Sequence, residues 1–143
     1  MAKTESMTTL TNAQVRGIYE SLLSVGRISS LPHKLDYAGI RNRPRLKDRY
    51  DEVEDARASK IRKFGQYKEG GELKTDRQGN LIFANAAKEA GFRKEHKELM
   101  AETMEFDIYT VKEEVIKEIE DCDYNGGLGF LDALVGTVII MDS

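Results

Sequence analysis

The sequence predicts an α+β fold in which an N-terminal antiparallel helical unit packs with a small antiparallel sheet and a C-terminal helix. Three observations carry that expectation. Apolar residues recur at helical spacing up to about Phe64, the stretch Met104–Tyr109 alternates apolar and polar, and glycine-rich turn chemistry between Gly70 and Asn80 brackets short apolar pieces. The chain has 143 residues, 40% of them hydrophobic and 33% charged, with a mean hydropathy of −0.52. That size suits one domain with a modest core, here expected over residues 10–143, helical over 10–65 and mixed over 66–143.

Residues 1–9 lack any periodic pattern and read as a disordered leader. The first helix is announced by Thr11-Asn12-Ala13-Gln14, a capping box with Thr11 as N-cap, and by Leu10 and Val15 as a hydrophobic staple. Val15, Ile18, Leu22 and Val25 form its apolar stripe, and Gly26 suits the position just past its end. Pro32 favours a new helix start. From about His33 to Asn42 a helix would turn Leu35 and Ala38 inward, with Ile40 as a further candidate. Pro44 removes a backbone donor and crowds the preceding turn, so a break is expected near Arg43. A longer helix would follow from Pro44 to about Phe64, burying Leu46, Tyr50, Val53, Ile61 and Phe64 and closing at Gly65.

Further along, Leu73 and Leu81-Ile82-Phe83 read as a hairpin, and Asn85 to about Ala101 as a helix weakened by Gly91. Met104–Tyr109 is the half-buried strand, expected to join that hairpin as a third strand. Val111–Ile119 suits a short helix or turn. Phe130, Leu131, Leu134 and Val135 have helical spacing, and Val138-Ile139-Ile140 favours a terminal strand.

Charge is unevenly divided. Residues 98–143 carry a net −10 and residues 1–97 a net +7, within an overall −3. Such a split suits either internal neutralisation or separate faces for outside partners. The basic half is densest at Arg41-Asn42-Arg43-Pro44-Arg45-Leu46-Lys47-Asp48-Arg49. Guanidinium forks match carboxylates and phosphates alike, which makes Arg41, Arg43, Arg45 and Arg49 the candidate partner-binding residues. An ordinary solvated helix surface is the plainer account of the same run. Tyr37 and Tyr50 nearby would allow stacking on bases, but no nucleic-acid reader motif accompanies them and the sequence pI is about 5.5.

No reactive constellation stands out. His33 and His96 lie far apart in sequence, and Cys122 sits between two aspartates that would raise its pKa. Asp121, Asp123, Asn125 and Gly126 imitate the opening of a calcium loop, yet position nine would be Gly129 and position twelve Asp132, so an Asx-rich turn is favoured over a metal site. Gly126-Gly127-Leu128-Gly129 lacks the Lys-Ser/Thr of a phosphate loop. The glutamates of 113–120 are paired as a solvated helix pairs them. The expectation is therefore a non-enzyme without cofactor or metal. One cysteine, no apolar run of membrane-spanning length and no signal-like start point to a cytoplasmic protein without membrane partners.

Leu31-Pro32-His33-Lys34-Leu35 before a long charged helix, Lys63-Phe64-Gly65 at its end, Asp76-Arg77-Gln78-Gly79-Asn80, Met104–Tyr109 and the segment Leu128–Leu134 occur in an order that resembles a family of small tailed-phage proteins of unknown function. The resemblance spans most of residues 8–135 in short pieces; the run around Pro44 and the chain beyond Leu134 fit it less well, and no functional residues come with it. It implies a phage-encoded accessory protein in the host cytoplasm. By class, such proteins suggest a non-enzymatic regulator docking on a host protein complex, with RNA polymerase as one target. The alternatives are a nucleic-acid-binding accessory protein and a virion assembly or tail-associated component.

Overall fold

The computed structural model describes residues 5–122 and 126–140. In chain order these form strand β1 (Glu5–Thr11), helices α1 (Asn12–Arg27), α2 (His33–Phe64) and α3 (Ala86–Ala101), strands β2 (Thr103–Tyr109) and β3 (Val111–Lys112), helix α4 (Glu114–Glu120) and strand β4 (Ile139–Ile140). The class is α+β, as expected. The chain's internal packing resolves into two units where the sequence suggests one domain: unit 1 comprises Met1–Tyr50 with Thr103–Ser143, and unit 2 is Asp51–Glu102.

Unit 1 holds the core. Val15, Ile18, Leu22 and Val25 of α1 are all buried, together with Leu35, Ala38 and Leu46 of α2, Phe106 and Ile108 of β2, and Val115 and Ile119 of α4. The capping box of α1 is present as read: Thr11 Oγ1 accepts from the Gln14 N–H at 3.1 Å, and Gln14 Oε1 accepts from the Thr11 N–H at 2.9 Å. Gly26 lies inside α1 instead of beyond it, and the helix ends at Arg27.

Three expectations need correcting in unit 1. Residues 5–9 are not a leader: they form most of β1, antiparallel to β2, with Thr8 opposite Phe106 and Leu10 opposite Met104. β2 therefore takes its partner from the N-terminal end and not from the 66–83 segment. The alternation that identifies a half-buried strand says nothing about which strand lies beside it. Second, α2 runs unbroken past Pro44. The carbonyl that loses its donor belongs to Ile40, which is exposed along with Pro44, so that group stays at the surface. Asn42, Arg43 and Arg45, on either side of the proline, each bond to another part of unit 1 and hold the helix through the defect. Third, the expected C-terminal helix is only a 3₁₀ turn at Gly129–Leu131. The carbonyl of Leu134 collects the N–H groups of Thr137, Val138 and Ile139, and Gly136 at φ 90° turns the chain so that β4 lies parallel to β3. Leu131 and Leu134, read as one face of that helix, are still buried.

Unit 2 joins the second half of α2 to α3 through three short extended segments. Antiparallel pairs at Gly65–Phe83, Tyr67–Leu73 and Thr75–Leu81 link each segment to the other two. Main-chain bonds from Gln66 to Ile82, from Ile82 to Lys74 and from Lys74 to Gln66 close the ring, so the expected hairpin is one side of a three-segment ribbon. Gly79, at φ 83°, lets the Asp76 carboxylate accept from the N–H groups of both Gln78 and Asn80 at 2.9 Å. α3 starts one residue after Asn85, which serves as its N-cap: Asn85 Oδ1 accepts from the Lys88 N–H. Gly91 does more than weaken that helix: a Cβ there would lie 2.6 Å from the Phe64 ring.

Candidate partner-binding surface

The buried stripe of α2 runs Leu35, Ala38, Asn42, Leu46. Each candidate arginine flanks that stripe and is half-buried, its aliphatic stem lying against protein. Arg43 Nη1 donates to the Leu22 carbonyl at 3.0 Å. Gly26 and Gly39 make room for it, since a Cβ on either would sit 2.9 Å from Nη1. Arg45 Nη1 donates to the Asp107 carbonyl at 3.0 Å, and Arg49 Nε to Oδ1 of buried Asn12 at 2.9 Å. These three guanidinium groups tie α2 to α1, β2 and the start of α1 respectively. Asn42 does the same from the stripe itself: its amide donates to the Tyr109 carbonyl and accepts from the Tyr109 N–H, both at 2.8 Å.

Arg41 is placed differently. Its guanidinium lies 5.4 Å from the Tyr109 ring centroid and 5.9 Å from that of Tyr37, and Nη1 donates to the Tyr37 hydroxyl at 3.3 Å. Tyr37 meets Tyr109 edge to face at 5.3 Å and stacks with His33 at 6.1 Å. His33, Tyr37, Ile40, Arg41 and Pro44 follow helical spacing along one side of α2, with Tyr37 36% and Ile40 49% exposed. Ile40, a candidate for the core, instead belongs to this outward stripe. The structure thus separates the four arginines: one joins an exposed aromatic stripe, and three bond other elements of unit 1. Sequence reasoning missed both Asn42 and the stripe, although a polar residue in register with Leu35, Ala38 and Leu46 was a legible signal for the first.

Of the histidines, His33 ends the stripe and His96 stacks on Phe92 at 5.5 Å in unit 2. The Cys122 thiol is half-buried and bonded to the Ile119 carbonyl. Among the described residues no cluster of three or more metal-ligating side chains occurs; Asp123 and Asn125, the middle of the calcium-like sequence, lie outside the described residues. An exposed ion pair between the basic and acidic halves joins Lys34 to Glu118 at 3.7 Å.

Unit 2 contains a cleft of about 840 Å³ between α3 and the ribbon. Arg57, Phe83, Phe92, His96 and Lys97 line it, with Asp76 at one rim. Two carboxylates of this unit titrate below their ordinary values. In Glu95 the hydrogen bond from Lys63, at 2.9 Å, is the main cause. In Asp76 it is the Asn80 N–H, aided by that of Gln78. Both interactions favour the folded form above the ordinary carboxylate range, and that contribution is lost as pH falls through the lowered values.

Neither a family model, nor a curated protein, nor a solved structure matches this chain. No described helix is long and apolar enough to cross a membrane.

Proposed function

We propose that this chain is a non-enzymatic binding protein that docks on a protein partner through the outward stripe of α2. The observation that supports the reading is the group Tyr37, Ile40, Arg41 and Tyr109, which sets an exposed apolar side chain beside an arginine held against two aromatic rings. Tyrosine and arginine are the residue types that most often anchor protein interfaces, and Arg41 reaches the surface already ordered, so little side-chain freedom is lost on docking. A partner with a shallow apolar depression rimmed by carboxylates fits this stripe. The resemblance to small tailed-phage proteins supplies the setting: a phage-encoded regulator acting on a host machine in the bacterial cytoplasm, RNA polymerase being the first target to test.

Capture from nuclease-treated bacterial lysate, with wild-type protein against Ile40→Asp and Arg41→Glu, tests the reading. One protein complex should be retained by the wild type and lost by both variants, each costing about 2 kcal/mol or more of binding. Equal recovery with all three proteins overturns the stripe as the docking site. Recovery of nucleic acid alone moves the reading to a nucleic-acid accessory protein, and recovery only of phage structural proteins to virion assembly.

A further inference from the structure

The cleft of unit 2 combines three features that the docking stripe of unit 1 does not use. First, it offers aromatic surface. Phe92 stacks with His96 at 5.5 Å and lies 5.4 Å from Phe83, and all three are half-buried, with part of their surface left to solvent. Second, it holds positive charge, although Arg57 is also ion-paired with Glu54. Arg57 Nε is buried with no hydrogen-bond partner among the described residues, while its Nη1 reaches Glu54 only at 3.5 Å. Lys97 of α3 also lines the cleft. By contrast, Arg93 is already paired with Glu89 at 2.8 Å, so those two cancel at the rim. Third, Asp76 presents a carboxylate on the rim that is fixed by two main-chain donors.

We propose that this cleft binds a nucleotide unit, with its base against Phe83, Phe92 and His96 and its phosphate on Arg57 and Lys97. The volume of about 840 Å³ lies within the usual range for small-ligand sites. Base-on-aromatic stacking tolerates any base, and charge-assisted hydrogen bonds from guanidinium and ammonium groups are strong phosphate contacts. Asp76 then accepts from a sugar hydroxyl or a base amine. The same carboxylate argues against an acidic peptide: such a ligand carries negative charge along its whole length, whereas a nucleotide is anionic at one end and neutral and planar at the other. The nucleotide comes either free or as part of a single strand.

NMR titration of the full chain with ATP, with GTP and with a twelve-residue oligo-dT separates these outcomes. The expected result is saturable movement of amide signals around Phe83, Phe92 and His96 with at least one probe. Lys97→Glu, at an exposed position and with its fold checked against the wild type by circular dichroism, should weaken that binding about tenfold. Tighter binding of the oligonucleotide assigns the source to single-stranded nucleic acid, and tighter binding of the mononucleotides to free nucleotide. The proposal is overturned if no probe moves those signals at roughly millimolar concentration. It is equally overturned if Lys97→Glu binds within about twofold of the wild type, or if a hexaglutamate peptide displaces the nucleotide as well as unlabelled nucleotide does. The docking stripe lies in unit 1, so failure here leaves the reading of that stripe standing.

Discussion

Asn42 is fully buried, and both ends of its amide bond the main chain of Tyr109, 67 positions away. It occupies the side of β2 that β1 leaves open, as the first rung of a further strand would. Replacement by alanine strands a carbonyl and an N–H away from water, and buried unsatisfied groups of that kind cost about 1–3 kcal/mol each. Asn42→Ala should therefore lower the stability measured by urea denaturation by about 2–4 kcal/mol. Arg45 bonds the neighbouring Asp107 carbonyl from an exposed position, where water replaces the lost donor. Arg45→Ala should cost only about 0.5–1 kcal/mol. Equal costs would show that the amide does not hold α2 to β2. The same comparison reinterprets the arginine run. Its density suggested a surface for partners, but three of its guanidinium groups end on oxygens of other elements of unit 1, which no count of charges reveals.

At the scale of elements, β1 has the largest consequence. Seven residue pairs join it to β2, and five of them fall within residues 5–9, the stretch without sequence periodicity. Met7 and Thr9 are exposed while Leu10 is buried, and the main-chain pairing with β2 runs the length of the strand. A deletion of residues 1–9 tests this directly. It should expose the edge of β2, remove hydrogen-exchange protection from Thr103–Tyr109 and lower the melting temperature by about 5 °C or more. An unchanged melt would mean that the segment is the free leader its composition suggests. Helix α2 teaches the converse. Proline's local penalty is real, about 3 kcal/mol in a helix interior; here it is offset because Asn42, Arg43 and Arg45 anchor the helix on both sides.

The two units differ in what holds them. Every member of the main buried cluster belongs to unit 1. Unit 2 relies on the half-buried rings of Phe64, Phe83 and Phe92, the closed main-chain ring of its ribbon and the Lys63–Glu95 pair. Exposed ion pairs and half-buried rings contribute less than a filled core. Native-state hydrogen exchange should accordingly show the amides of Gln66–Phe83 and α3 exchanging at least about tenfold faster than those of α1. Uniform protection across both units would contradict that order. A low-stability unit with an open cleft is also where a ligand has most effect, because binding shifts the local opening equilibrium by mass action.

Much of the local structure was legible from short-range chemistry. The capping box at Thr11, the stripe Val15–Ile18–Leu22–Val25, the turn at Asp76–Asn80 and the alternation of Met104–Tyr109 each depend on residues within a turn or two of one another, and each is found where the sequence places it. The α+β class follows from their order. Tertiary structure alone decided the partner of β2, the continuity of α2 across Pro44 and the separate fates of Arg41, Arg43, Arg45 and Arg49. Those outcomes turn on contacts between distant segments, whose free energy exceeds the local preferences of a proline or an arginine and leaves no periodic trace in the chain.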